Sequence, residues 1–440
     1  MSPRRFDVLV VGAGPAGSIA ALVLARAGAR VALLDKARFP RDKACGDLVG
    51  PRGLQVLADL GLAGPAGPAG LYVGDMAVVG PTGRRVLLPC FDGHSYPGRA
   101  LSVTRTVFDD ALRVAALEAG AVACEGRADR PLWSGADIDG FALGAGEGDG
   151  GEVRADFVIG ADGATSRVAH SAGLVEGPKV LWGFAVRTYL EQDVALPAIT
   201  LWEPVRWRAF PGYGWIFPGP GGIANVGVGI GTRSDRQAGA RAVRELPDYF
   251  VHLAELGLLE RPPDVRALRR LGGWLKMGMV GTRPGAGRVL LVGDAAGLVN
   301  PLQGEGIAQA MTSGRAAAEA VLGSPGTAAV RYRDELARAH LPYQRITAAG
   351  HAALVSRPWA VAAVGRLLTA PRLGDALAGG WGIFWNELLD GAAPGRARKV
   401  ARASTWFGRA ATAPSHVSRW FTAAYPAPGP VGPVAPTGRC

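Results

Sequence analysis

The sequence predicts an α/β protein with three parts. These are a Rossmann-type dinucleotide-binding domain built from discontinuous segments, a mixed or antiparallel β-sheet domain for a substrate, and a C-terminal helical region. Three observations predict it. A strand-like run from Phe6 to Val11 leads at once into Gly12-Ala13-Gly14-Pro15-Ala16-Gly17 and an Ala/Leu-rich stretch that ends at Gly28. Two further apolar runs closed by Gly/Asp turns come much later, at Val153–Gly163 and Gly287–Gly297. Strand-like runs punctuated by Pro and Gly fill the intervals.

The first segment has the order that a dinucleotide pyrophosphate needs. Gly12 allows the tight turn, Gly14 lets backbone approach the phosphates, and Gly17 lets the helix pack close to the strand. The helix N-terminus then offers free N–H groups and partial positive charge to the anion. A second strand, Arg30 to Leu34, ends in Asp35, at about the spacing of the acid that binds a ribose hydroxyl. A lone G-x-G-x-x-G is a weak signal in a chain with 65 glycines. The strand before it and the acid after it make it specific.

Residues 1–70 read as the first βαβ unit and its extension. Around 71–100 come short strands (Leu71-Tyr72-Val73, Arg85 to Leu88), predicting an antiparallel excursion. Residues 101–124 predict a helix with Phe108, Leu112 and Ala115/Ala116 on one face, then a strand. From about 175 to 280 the chain alternates aromatic and small residues in strand-like runs. Gly287 to Asp294 reads as a last nucleotide-type strand, followed by a helix over about 304–321. The cofactor domain is therefore expected at 1–70, 101–174 and 281–326, and the substrate sheet at 71–100 and 175–280. Helices are expected over 327–425, and a Pro/Gly-rich disordered tail over 426–440.

Composition bounds the function. At 440 residues, 48% hydrophobic and 19% charged, the chain is long enough for a large core, and wholesale disorder is excluded. The net charge of +11 comes from 43 arginines and only five lysines, spread along the chain rather than gathered in a stripe, so no nucleic-acid partner is expected. One denser patch, Arg396, Arg398, Lys399, Arg402 and Arg409, fits a solvated helix face or contact with an anionic membrane surface. No apolar run reaches transmembrane length, and the first strand begins almost at Met1, leaving no room for a signal peptide. Cys45, Cys90, Cys124 and Cys440 show no metal or disulfide spacing. The expectation is a cytoplasmic protein, with peripheral membrane contact as the alternative, and no metal.

The three Gly/Asp signatures, the glycine turn, Asp162-Gly163 and Gly293-Asp294, stand in an order that resembles the FAD-binding fold of the para-hydroxybenzoate hydroxylase superfamily over roughly residues 1–325. The resemblance implies FAD, with Asp162 at the cofactor and Asp294 on the ribityl chain. The helix starting near Gly304, opened by Gly306 and Ile307, would aim its positive end at the isoalloxazine N1/C2 carbonyl. Reduction leaves negative charge there, which a helix dipole stabilises. Arg105-Thr106-Val107-Phe108-Asp109 matches the family's R-x-x-F-D segment and implies that Arg105 lies against the cofactor.

A narrower resemblance rests on Phe39-Pro40-Arg41-Asp42-Lys43-Ala44-Cys45-Gly46-Asp47 and on Pro211-Gly212-Tyr213-Gly214-Trp215-Ile216-Phe217-Pro218. Both resemble the geranylgeranyl reductase family, flavoproteins that saturate isoprenoid double bonds. The resemblance implies that Arg41, Lys43 and Cys45 line the flavin's outer side and that Tyr213, Trp215 and Phe217 face the substrate. Leu48-Val49-Gly50 departs from the Gly-Leu-Thr common in prenyl reductases. By themselves, the three aromatics alternate with period two, which suits either a cavity wall or a sheet core. Cys45 suits tight packing, proton delivery or a redox role; Arg41 and Lys43 would favour its thiolate if they point at it.

The reading is an FAD-dependent oxidoreductase in which reduced flavin gives hydride to a C=C bond of an isoprenoid-like or other apolar substrate. The alternative is a monooxygenase that hydroxylates or epoxidises an aromatic, polyketide or terpenoid substrate. A halogenase would need a lysine in the early strand-rich excursion, and residues 44–178 contain none. No second G-x-G-x-x-G follows a strand, so electrons are expected from transiently bound NADPH or from a separate reductase.

Overall fold

The computed structural model describes residues 4–62, 69–90, 98–144, 151–201, 212–232, 238–355 and 358–378, with isolated positions between 395 and 406. The tail expected at 426–440, most of 379–425, and Arg396 and Arg409 of the basic patch lie outside the described residues.

Two large sheets organise the molecule. In the first, the strands Val289–Leu291, Glu152–Gly160, Arg4–Val11, Val31–Asp35 and Val122–Glu125 run parallel in that spatial order. Gly285–Ala286 adds an antiparallel edge, and the hairpin Arg127–Ser134/Asp137–Gly144 joins the side of Glu152–Gly160. Strands from three distant stretches of chain thus lie side by side. The central ones are buried along their lengths, as a parallel sheet covered on both faces demands. The helix Pro15–Arg26 has proline at its start and buries nearly every residue, including Ile19, Ala20 and Leu24. It is held between the helices Arg105–Glu118 and Ile307–Gly323.

The second sheet has seven strands in the order Leu271–Met277, Leu181–Glu191, Ile223–Thr232, Gly212–Gly219, Ala198–Leu201, Met76–Val79 and Arg85–Leu88. All pairings are antiparallel except Ala198–Leu201 with Met76–Val79. Leu71–Val73 stays out of this sheet and pairs instead with Ala100–Ser102, which also holds Leu48–Val49.

One element departs from the strand-like reading of 175–280. An 18-residue helix, Ala238–Glu255, packs across the second sheet. Ala242, Leu246, Tyr249, Phe250 and Leu253 recur at helical spacing and are fully buried against Ile216, Val226 and Val228. Pro247, in the helix interior, is the residue that reads as a breaker in the sequence. Beyond the first sheet, Ala328–Ala339, Leu341–Val355 and Pro358–Leu368 are helical.

Candidate functional site

The glycine turn shows why its residue types are required. Gly12 has φ +106°, and a Cβ there would stand 2.3 Å from the Ala161 carbonyl oxygen; one on Gly17 would stand 1.8 Å from the Gly12 oxygen. Turn, helix and the end of the neighbouring strand therefore close onto one another as only glycine permits. Ala13 N–H donates to Asp35 Oδ2 at 2.7 Å and Ala37 N–H to Oδ1 at 2.8 Å, so Asp35 holds the turn while each oxygen keeps a second lone pair. A Cβ on Gly14 would lie 3.3 Å from an Arg41 guanidinium nitrogen, which places a cation beside the helix N-terminus. Arg41 is anchored by Asp109 at 3.0 Å and by the Phe39 ring, 4.8 Å away. A backbone cradle, a helix start and a fixed guanidinium fit a pyrophosphate.

Beyond Pro15 a cavity of about 530 Å³ opens between the two sheets. It gathers Cys45, Arg105, Tyr213, Trp215, Phe217, Asp294, Gly304, Gly306 and Ile307 into one wall. Gly12, Gly14, Gly17, Asp35, Arg41 and Gly293 lie outside this wall, on the glycine-turn side. Asp162 does not reach it: its carboxylate accepts from the Ser166 hydroxyl and from the N–H groups of Arg167 and Val168, so the side chain is spent on capping its own turn. Burial raises its pKa.

Asp294 sits in the one-turn helix Gly293–Ala296 and accepts from Lys43 Nζ at 3.2 Å. The following helix begins at Ile307, three residues later than Gly304, with Gly306 as its cap. Residues 300–306 form a loop instead. Asn300 Oδ1 accepts the N–H groups of Leu302 and Gln303, at 3.0 and 3.1 Å. The Tyr213 hydroxyl donates to the Gln303 carbonyl, and Gly304, at φ +71°, leaves room for that hydroxyl, which a Cβ would meet at 2.4 Å.

Tyr213, Trp215 and Phe217 share one face of their strand and line the cavity, while Ile216 turns to the opposite core. Wall and core are therefore the same residues here: Trp215 and Phe217 are buried and packed on each other, with ring centroids 6.4 Å apart. Trp215 Nε1 donates to Asn225 Oδ1 at 2.9 Å.

Cys45 opens onto the cavity, but neither expected cation points at it. Arg41 is committed to Asp109 and Lys43 to Asp294. Burial pushes the Cys45 thiol up from its ordinary pKa, with Arg105 opposing, so the neutral thiol is the resting form. Arg105 is buried and forms two hydrogen bonds to Asp109, at 2.7 and 2.6 Å. Burial opposes its charge, yet Asp109 and Cys45 together keep its pKa above the ordinary value.

Sequence reasoning missed the polar layer beneath the wall. Asn225 Nδ2 donates to the Cys45 carbonyl at 2.8 Å and to Asp47 Oδ2 at 2.9 Å; Tyr189 OH donates to the same oxygen. Lys276, fully buried, donates to the Ala295 carbonyl at 3.0 Å beneath the Asp294 turn. Asp47 closes the Phe39–Asp47 motif and Lys276 is one of only five lysines; those are the signals the sequence offers.

This combination of cradle, acid and cavity defines a flavin-dependent oxidoreductase. The family profile described as "FAD binding domain" matches residues 5–322. The menaquinone reductase of Mycolicibacterium smegmatis is 39% identical over 324 residues, 72% of this chain and 76% of that protein. Digeranylgeranylglycerophospholipid reductase 2 of Methanopyrus kandleri is 36% identical over 323 residues, again 72% and 76%. A solved structure from Thermoplasma acidophilum, described as geranylgeranyl bacteriochlorophyll reductase-like, superposes with a TM-score of 0.69 at 22% identity, covering 95% of this chain and 99% of that one. The chain belongs to the geranylgeranyl reductase family of FAD-binding oxidoreductases.

Proposed function

We propose that this protein reduces C=C bonds in the prenyl chain of an isoprenoid lipid, with a polyprenyl quinone as the first substrate to test. The observation that carries the reading is the cavity. Away from Asp294 and Lys43 its wall is largely apolar, with Ile199, Leu201, Leu275 and Met277 on the same sheet face as the aromatic strip and Val364 and Leu368 added from the helix Pro358–Leu368, and the neutral Cys45 thiol opens onto it. Such a wall suits a hydrocarbon chain. The relatives named for menaquinone and for digeranylgeranylglycerophospholipid point to the same substrate class.

FAD, once reduced by NADPH or a partner reductase, supplies the hydride for one alkene carbon. The glycine turn, Arg41 and Asp35 would hold its adenine-side phosphates and ribose, and Asp294 its ribityl chain. The helix Ile307–Gly323 would offer its positive end to the flavin ring. Cys45 supplies the proton for the other alkene carbon. Burial keeps that thiol protonated, and Arg105 beside it stabilises the thiolate left behind. Trp215 and Phe217 exclude water and hold the chain flat.

Residues 1–70, 101–174 and 281–326 act as the cofactor unit, and 71–100 with 175–280 as the substrate unit. Among the described residues no helix is long and apolar enough to cross a membrane. The helix Pro358–Leu368 serves as the membrane-facing side of the cavity: Val364 and Leu368 reach its wall while Trp359 and Leu367 are exposed. The test is anaerobic. Enzyme loaded with FAD and kept reduced by dithionite should saturate prenyl bonds of added menaquinone, and the lipid, once its ring is reoxidised in air, should have gained two hydrogens per saturated bond. Turnover that requires O₂ and adds oxygen to the substrate would establish the monooxygenase instead.

A further inference from the structure

Saturating an alkene consumes a proton as well as a hydride, and a cavity walled by hydrocarbon has no bulk water to replace it. Behind Cys45 the structure has an arrangement suited to that task. Asp47 is buried, and it is one of three non-glycine residues held at positive φ, +60°, among those described. Its N–H donates to Cys45 Sγ at 3.3 Å, so thiol and carboxyl belong to the same two-residue turn, and the thiol feels the Asp47 charge.

One carboxyl oxygen, Oδ2, takes both Tyr189 OH and Asn225 Nδ2; the other, Oδ1, has no hydrogen-bond partner among the described residues. An unpartnered oxygen in the interior is tolerated far better on a neutral acid than on a carboxylate. Asp47 also forms part of the wall of a second, smaller chamber of about 60 Å³, with Ser102, Thr104, Tyr189 and Asn225. That is room for roughly one to four waters, with hydroxyl and amide groups to hold them.

We propose that Asp47, together with this chamber, is the proton store that recharges Cys45 after each reduction. The idea rests on the reductase reading. Cys45 gives its proton to the alkene carbon and becomes a thiolate; Asp47, as the acid, returns a proton to sulfur and becomes a carboxylate. Water in the small chamber then delivers a proton from solvent to Asp47, while the hydride on the other carbon comes from the reduced cofactor. Asp47 is a positioning and relay residue that acts through Cys45.

Its surroundings set the pH at which the store empties. Burial pushes the Asp47 pKa up to about 6; Tyr189 and Asn225, which donate to it, and the Arg187 and Arg105 charges pull it partly back. Arg187 is itself paired with Asp42.

The test uses full-length protein loaded with FAD. Wild type, Asp47→Asn and Tyr189→Phe are held reduced by excess dithionite without oxygen, which also keeps the quinone ring reduced, and loss of prenyl C=C bonds from the menaquinone lipid in detergent is followed over many turnovers from about pH 5 to pH 9. Wild type should slow roughly tenfold per pH unit well above pH 6. Asp47→Asn should bind FAD and substrate normally yet turn over at least tenfold more slowly than wild type near pH 5, with no pH dependence from pH 5 to pH 9, so that the two converge as pH rises. Tyr189→Phe removes a donor that favours the carboxylate, so its midpoint should move to higher pH. An infrared carboxylic-acid band present near pH 5, lost above pH 7 and missing in Asp47→Asn, reports the same store without turnover.

A wild-type pH profile in Asp47→Asn, or a downward shift in Tyr189→Phe, overturns the proposal. Wild type that saturates no C=C bond of any prenyl lipid without oxygen overturns the reductase reading, and the relay with it. If Asp47→Asn does not fold, Tyr189→Phe still decides.

Discussion

Replacing Trp215 tests whether the aromatic strip is wall and core at once. A fully buried indole removes about 150–250 Å² from water, which at ~25 cal/mol per Å² gives about 4–6 kcal/mol. Trp215 lines the cavity yet is only 4% exposed, and because the surroundings relax, truncating such a buried ring costs about 3–5 kcal/mol. Asn225 Oδ1 also loses its 2.9 Å donor, and an unpaired buried acceptor costs about 1–3 kcal/mol. Trp215→Ala should therefore cost about 4–8 kcal/mol. At about 2 °C per kcal/mol, the low end of the range for large domains, the melting temperature should fall by about 8–16 °C. Trp215→Phe keeps a ring and removes only the donor and a little volume, about 1–3 kcal/mol or 2–6 °C. Circular-dichroism melts of the apo and FAD-loaded proteins read both. Two variants that melt within 2 °C of wild type would refute the packing. A Trp215→Phe variant indistinguishable from wild type beside a destabilised Trp215→Ala would refute the Asn225 contribution alone.

Two further outcomes follow from charges at the cofactor end. Asp294→Ala removes a charged acceptor worth roughly 1.5–3 kcal/mol and strands Lys43, so FAD should bind about ten- to hundredfold more weakly, read as flavin occupancy after gel filtration. Full occupancy would contradict the role of Asp294. Lys276 has its pKa pulled from 10.5 down to about 8 by burial, against the attraction of Asp162 and Asp294. The folded state therefore sheds this proton before the unfolded state does; the penalty of roughly 3 kcal/mol is complete below pH 8 and is relieved as pH rises towards 10.5. Thermal melts should show wild type gaining on Lys276→Met between about pH 8 and pH 10, and a constant gap would refute the buried ammonium.

Much of the cofactor half was legible because its chemistry is local. The Phe6–Gly17 segment, Asp35 and the Arg105–Asp109 pair each act within a few residues or one βαβ unit, so spacing carries the information. Two other features were hidden for different reasons. Helix Ala238–Glu255 carries a clear helical repeat, but Pro247 argues against it locally and only packing on the second sheet overrides that. The polar layer of Asp47, Tyr189 and Asn225 joins three elements far apart in sequence, and no spacing rule reaches across them. Asp162 is ambiguous in sequence for another reason: a Gly/Asp turn suits a ligand contact or a self-capped turn, and only the structure shows its carboxylate accepting from Ser166, Arg167 and Val168.

The order of strands in the first sheet also bears on how the chain folds as it is made. Arg4–Val11 lies at the centre, yet the strand Val289–Leu291, two places away, is synthesised some hundreds of residues later. At roughly 5–20 residues per second that delay is on the order of 15 s to one minute. For about the second half of it, once Gly160 has been made, the edge of Glu152–Gly160 beyond Arg154 stands open beside a forming apolar core, and parallel pairing over such separations is slow to close. The emerging chain should therefore depend on chaperones until residue 291 has left the ribosome, and conditions that slow translation beyond Gly160 should raise aggregation more than those that slow it after Gly323.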